Sequence, residues 1–280
     1  MANSTDRLNL PATRMEKLFD IVHEDDGLLV INKPADLVCH PTKGDVYSSL
    51  ISRVRLHLGS SIQPHLINRL DRETSGLVLV GKSAEAALEL RRALESGQVD
   101  KRYFAIVHGH WREASLTIDA PLGKDEASAV AIKNTVRADG AAARTEVTLL
   151  RTFERDGQPF SLVEARPITG RKHQIRIHLA HHGHAIVGDK LYGADENFYL
   201  DFVLKRQTAE QRRALLLANH ALHAHRLEFA WHGTTAVFRA TPDQDFLNFL
   251  PADLPGWGPG TAGMDVVDTH RRLPGNLRNP

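Results

Sequence analysis

Asp71 stands between two arginines in the stretch Asn68-Arg69-Leu70-Asp71-Arg72-Glu73-Thr74-Ser75-Gly76, which closes on small, turn-forming residues. Flanking guanidinium groups favour the ionised form of an aspartate, and an ionised carboxylate held beside them can act as a nucleophile or as an electrostatic stabiliser. Leu77-Val78-Leu79-Val80 follows at once, a short apolar run of the kind that forms a buried strand. Asp71 would then sit on a loop leading into a rigid element, where functional side chains concentrate. On these residues alone, a solvated Arg-Asp-Arg turn is the competing reading.

A second informative segment runs from Arg166 to Leu179, Arg-Pro-Ile-Thr-Gly-Arg-Lys-His-Gln-Ile-Arg-Ile-His-Leu. Thr169 suits the cap of a helix beginning near Gly170, with Ile175 and Leu179 one turn apart on its buried side. Arg171 and Lys172 would lie in the first turn, where free N–H groups already carry partial positive charge. Two cations there make sense beside an anion, either a phosphate or a buried carboxylate. Arg176 adds a further charge about a turn on; solvated helix charges are the alternative.

The chain has 16 histidines, and His178, His181, His182 and His184 are closely spaced. His178 and His182 are one helical turn apart, yet the glutamate of a zinc-hydrolase helix and an acidic third ligand are missing, so no metal site is expected. His220, His223 and His225 read as histidines near a helix end that bond to backbone or solvent. No segment matches a phosphate loop or a dinucleotide fingerprint, which favours chemistry without a cofactor.

The elements that must position these residues form an α and β mixture. Glu24 to Gly27 reads as a turn and Leu28 to Ile31 as a strand, which Asn32-Lys33-Pro34 stops. Ser83 to Gly97 carries the cap, apolar stripe and terminal glycine of a helix. Lys101 to Gly109 alternates with period two, and strand-like runs recur at 145–150 and 160–165. The sheet is therefore expected to be mixed or antiparallel rather than built from regular strand-helix-strand units. A chain of 280 residues with 42% hydrophobic and 25% charged residues can bury a substantial core. Its lone Cys39 permits no intramolecular disulfide and reads as a small buried apolar group. With no cationic-apolar leader and no apolar run of membrane-spanning length, a cytoplasmic location and no membrane association are expected. The net charge of +1 announces no nucleic-acid partner, so such a role must rest on local clusters of lysine and arginine.

Four strings in order resemble the RluA-type pseudouridine synthase family: Arg69-Leu-Asp-Arg-Glu-Thr-Ser-Gly76, Lys101-Arg-Tyr-Phe-Ala-Ile-Val-His-Gly109, Thr169-Gly-Arg-Lys-His-Gln-Ile-Arg-Ile-His-Leu179 and Gly188-Asp-Lys-Leu-Tyr-Gly193. Glu24 to Pro34 and Ala221 to Ala224 are similar to the family's flanking segments. The resemblance implies an α+β fold with a mixed, mainly antiparallel sheet flanked by helices and loops, and an active-site cleft across the sheet. It divides the chain into an extension (1–19), a catalytic domain (20–250) and a Pro/Gly-rich irregular tail (251–280), without an N-terminal S4-like RNA-binding module.

The same resemblance implies isomerisation of specific uridines in structured RNA, a stem-loop of ribosomal or transfer RNA, by a monomer with no cofactor and no obligate protein partner. It makes Asp71 the essential aspartate, Arg171 its basic partner and Tyr103 the residue that stacks on the flipped base, with assistance in removing the C5 proton as a second role. Arg69 is expected to face RNA, with Arg72, Lys101, Arg102, Lys172 and Arg176 as backbone contacts. Asn68 departs from the family, which commonly has histidine there, so a titrating role at that position is in doubt. Two rivals are a non-catalytic RNA-binding relative, which would be expected to lack Asp71 or Arg171, and a glycosidase, which needs a second carboxylic acid such as Glu73.

Overall fold

A computed structural model describes residues 19–41, 48–193 and 195–252, and the backbone of 263–267. In chain order the elements are β1 (Asp20–Glu24), β2 (Leu28–Lys33), α1 (Leu50–Leu58), β3 (His65–Leu66), β4 (Ser75–Gly81), α2 (Ala84–Glu95), β5 (Asp100–His108), β6 (Ser115–Asp119), β7 (Leu122–Lys124), β8 (Asn134–Val136), β9 (Arg144–Arg155) and β10 (Gln158–Pro167). They continue with α3 (Gln174–His181), α4 (Asn197–Val203), α5 (Ala209–Leu215), β11 (Leu222–Trp231), β12 (Thr234–Arg239), α6 (Gln244–Phe249) and β13 (Gly263–Val267). The main sheet runs β1-β2-β4-β11-β5-β10-β9-β6, with β12 and β13 branching from β11, β3 from β4, and β7-β8 as a separate pair. Among these strands only β4 and β11 pair in parallel, through His223 with Ser75 and Ala224 with Gly76. The mixed, mainly antiparallel sheet is thus the expected one.

Period-two alternation explains how β4 is covered on both faces. Leu77 and Leu79 pack on one side with Ala86, Ala87 and Leu90 of α2, whereas Val78 and Val80 pack on the other with Leu50 and Val54 of α1. All four strand residues are fully buried, which is why the segment reads as a continuous apolar run. Ser83 caps α2 by accepting from Ala86 N–H, and Gly97 leaves the helix with φ 73°. The Asp25 carboxylate accepts from the N–H groups of Gly27 and Leu28 and closes the β1-β2 hairpin. A second core lies under β5 and β10, where Val107, Phe160 and Leu162 meet Ile175 and Leu179 of α3.

One expectation needs correction. The segment after residue 250 reads as irregular, yet β13 pairs antiparallel with β12 from Thr235–Val267 to Arg239–Gly263. The Pro/Gly signals dominate the local reading there, while pairing with a distant edge supplies the order.

Gly76 meets β11 where no side chain would fit. Its φ is +113°, and an added Cβ would lie 2.3 Å from the Ala224 carbonyl oxygen. Gly97, with φ +73°, has nothing within 4 Å of that position. Gly76→Ala is expected to destabilise the fold by about 3 kcal/mol, because backbone must move, and Gly97→Ala by about 1 kcal/mol through backbone strain alone. Thermal denaturation of the two variants measures the difference; equal losses would show that the close approach is dispensable.

Candidate active site

Asp71 lies on the loop between β3 and β4, and several ties fix that loop. The Asn68 amide donates to Leu77 O (3.1 Å) and accepts from Leu79 N–H (2.7 Å), spending both its polar groups on β4. This answers the departure at position 68: the residue anchors backbone and does not titrate. Lys33, fully buried at the end of β2, donates to the carbonyls of Pro34 (2.8 Å), Leu37 (2.9 Å) and Arg72 (3.1 Å). Burial lowers its ammonium pKa to about 8, against the opposing pull of Cys39, Asp71 and Asp36. Cys39 is buried, as expected, and its thiol faces Leu70 O.

The far end of the loop is held by histidines. Thr74 Oγ1 lies 2.7 Å from His220 Nε2, and Ser75 Oγ lies 2.8 Å from His223 Nδ1. His223 Nε2 faces the Ala240 carbonyl at 3.0 Å, so Nε2 carries the proton and Nδ1 accepts from the serine. Burial lowers both histidines to about 3, which keeps them neutral near pH 7. His223 and His225 lie within β11 and His220 just before it, not at a helix end, and His225 bonds Glu164 at 2.9 Å. In α3, His178 is spent on Thr145 Oγ1 and Ala120 O. Among the described residues no group of histidine, cysteine or carboxylate side chains is arranged to hold a metal.

The charge that faces Asp71 belongs to Arg176. Its Nη1 donates to Asp71 Oδ2 at 2.9 Å, while Nε and Nη2 grip Asp189 Oδ2 and Oδ1 at 2.7 and 2.8 Å. The Arg176 side chain is 7% exposed, Asp189 0% and Asp71 31%. Asp189 Oδ1 also accepts from the N–H groups of Leu191 (2.9 Å) and Tyr192 (3.0 Å), and the Tyr192 ring centroid lies 4.9 Å from Arg176 Cζ. Burial works against ionisation of Asp71, yet Arg176 prevails and holds the carboxyl below its usual range. Asp189 is held well below that range by the same guanidinium, again against burial.

His173 completes the rim with a left-handed backbone, φ 57°. Asn134 N–H donates to Tyr192 Oη (3.2 Å), which lies 2.9 Å from His173 Nδ1. The tyrosine proton is then directed to Nδ1, leaving His173 Nε2–H toward Asp71 Oδ1, 3.8 Å away. Burial lowers His173 to about 4, so it stands beside Asp71 as a neutral imidazole.

The expected Arg171–Asp71 pair is not formed. Because His173 takes the left-handed turn, α3 starts at Gln174 rather than near Gly170, and Arg171 and Lys172 precede the helix. Arg171 Nε instead donates to Ala142 O at 3.0 Å. Thr169 does not cap the helix; it accepts from Arg144 N–H and donates to Gln174 Oε1. The anion expected beside Arg171 and Lys172 is therefore not found in a first helical turn that holds them; the cation in that turn is Arg176, which faces Asp71 and the buried Asp189.

A cleft of about 700 Å³ gathers Asp71, Tyr103, Arg69, Lys101, Arg171, Lys172 and Arg176. Tyr103, on β5 opposite Ala224 of β11, is pushed up by burial and by Asp71, so its hydroxyl stays protonated. Arg176, buried on Asp71 and Asp189, does not have the free guanidinium expected of an RNA contact, and two more of the expected RNA set, Arg72 at the same cleft and Arg102, are also engaged. Arg72 pairs with Asp36 (2.7 Å), and Arg102 with Asp100 (2.8 Å) and Glu164 (3.0 Å). Sequence reasoning gave no role to Lys33, His173, Asp189 or Lys190. Lys190 is buried against Glu73, whose carboxyl burial pushes up while the ammonium pulls it down. The one available signal was a charged Asp-Lys pair inside an otherwise apolar segment.

A sequence profile described as RNA pseudouridylate synthase matches residues 27–181, from the turn before β2 to the end of α3. Ribosomal large subunit pseudouridine synthase C of Vibrio parahaemolyticus is 34% identical over 187 residues, 65% of this chain and 57% of that protein. The mitochondrial tRNA pseudouridine(32) synthase of Saccharomyces cerevisiae is 34% identical over 176 residues, 63% of this chain and 37% of that protein. The matches thus span little more than half of the former's length and less than half of the latter's. Human RNA pseudouridylate synthase domain containing 1 has a similar fold, with a TM-score of 0.66 at 26% identity over 88% of this chain and 91% of that chain.

Arg176→Lys replaces a fork that bonds two carboxylates by a single ammonium, which is expected to cost about 3 kcal/mol. Both aspartates have lowered folded pKa values, so their contribution is complete above the ordinary carboxylate value of about 4 and is lost as pH falls below it. Urea unfolding between pH 6 and pH 2 should therefore show a shallower acid loss in the variant than in the parent. Identical slopes would place the acid sensitivity elsewhere.

Proposed function

Because the chain belongs to the RNA pseudouridylate synthase family, we propose that it isomerises specific uridines in structured RNA to pseudouridine, without a cofactor. The observation that carries this reading is the Asp71 carboxylate, kept ionised by Arg176 in a cleft it shares with Tyr103. In the isomerisation the N1–C1′ bond breaks, the base turns, a C5–C1′ bond forms, the C5 proton leaves and N1 gains one. Asp71 serves either by attacking C1′ or by first assisting removal of a ribose proton. Both routes need an ionised carboxylate close to the sugar and shielded from water.

Tyr103 is suited to stacking on the base. Its raised pKa keeps the hydroxyl protonated, which favours contact and hydrogen bonding over proton removal. The target base must leave its stack, at a cost of a few kcal/mol. Arg69 is exposed at the cleft mouth, where a guanidinium plane can take the vacated place or bond phosphate. Lys101 and Lys172 line the same cleft and suit backbone contact. Ribosomal and transfer RNA are the substrate classes that the names of the two relatives suggest. The glycosidase reading needs a second free acid, and Glu73 is buried on Lys190.

The decisive measurement is tritium release from RNA carrying 5-tritiated uridine. The parent protein should release tritium from total ribosomal or transfer RNA, and Asp71→Asn should slow release by roughly 10³-fold or more. No release from either pool would overturn the proposal, and free uracil would point to hydrolysis instead. Since Asp71 titrates below its usual range and His173 at about 4, kcat/KM should have no acidic limb between pH 5.5 and pH 7. A limb with an apparent pKa near 6 would mean that another group must be deprotonated.

A further inference from the structure

The cleft does not end at Arg69. It continues into a second depression of about 400 Å³, and His40, Ile67 and Arg69 line both. Arg55 comes to it from α1, Arg69 from the loop carrying Asp71, and Arg91 from α2. The floor is the chain around β3, and no aspartate or glutamate lines the depression.

All three arginines are exposed, and among the described residues none has a carboxylate partner. Their state contrasts with Arg72, Arg102, Arg137, Arg166, Arg206 and Arg226, each paired with an acid. In a chain of net charge +1, gathering unpaired guanidinium groups around one concavity is unfavourable until an anion enters. His40 registers the crowding: burial lowers its pKa, and so do the charges of Arg69 and Arg55. Guanidinium groups are weakly hydrated and present forked donors that match phosphate oxygens.

We propose that this depression docks the RNA phosphodiester backbone next to the target nucleotide, with Arg55 and Arg91 as phosphate contacts on the strand that passes Arg69 into the cleft. The assignment rests on the function proposed above and extends it to a named surface. Such contacts fix register and orientation and carry no base sequence.

Fluorescence anisotropy with a labelled ribosomal or transfer RNA fragment, across a salt series, tests the docking directly. Each phosphate contact removed should reduce the slope of log K against log salt by about 0.7 to 0.9. Arg55→Gln with Arg91→Gln should therefore flatten it by about 1.4 to 1.8, and should raise KM for RNA roughly tenfold. Arg112→Gln removes one charge from an exposed site outside both depressions and should leave the slope nearly unchanged. Arg55→Lys with Arg91→Lys should keep most of the slope, which separates charge from packing. If the glutamine pair keeps the parent's slope and KM, the docking site is refuted even where tritium release succeeds. If the slope flattens but the parent releases no tritium, the docking site stands and the isomerase reading fails.

Discussion

A guanidinium can be withdrawn almost wholly from water only when its charge is matched nearby, and Arg176 is matched on two edges. One edge forks onto Asp189, which is fully buried and also accepts two backbone N–H groups. The remaining Nη1 is then aimed at Asp71. Asp189 is what makes the geometry rigid, because a fork bonded on both tines has little rotational freedom left. Neither aspartate would ionise readily in such surroundings without the arginine. The site therefore behaves as a three-body unit, in which the half-exposed carboxylate inherits its charge state from a pair that solvent does not reach.

Around that unit, groups that carry no competing charge at the carboxylates do most of the positioning, with one buried ammonium beside them. Lys33 binds three carbonyls, Asn68 binds strand β4, and His220 and His223 receive Thr74 and Ser75. Lowered pKa values keep both histidines uncharged near pH 7. They can therefore hold the loop by hydrogen bonds without adding charge that would compete with Arg176 for Asp71.

Much of this was legible in the residues, and the parts that were not share a cause. Leu77 to Val80 announced a doubly covered strand, because apolar continuity follows directly from burial on both faces. Asp71 and Tyr103, singled out from a charged string and from the family resemblance, line one cleft. The assignment of Arg171 failed because one left-handed residue, His173, delays the helix start, and single-residue backbone reversals outside glycine leave little trace in sequence. Asp189 was missed because its partner is thirteen residues away on another element, and ion-pair partners are chosen by tertiary packing. β13 was missed for the same reason, its order coming from the edge it joins.

The parallel contact between β4 and β11 brings residues 75–76 against residues 223–224, closing the longest link in the site. The segment that carries Asp71 is thus made well before the strand against which its loop is seated. Between them, a polypeptide still leaving the ribosome already holds every charge of the Asp71–Arg176–Asp189 unit yet lacks the wall that shapes the loop. Long-range pairing of this kind is slow to form and comes near the end of folding. The geometry of the site is therefore tied to synthesis of β11, so an interrupted product that stops before β11 carries the charged groups without the arrangement that the strand imposes.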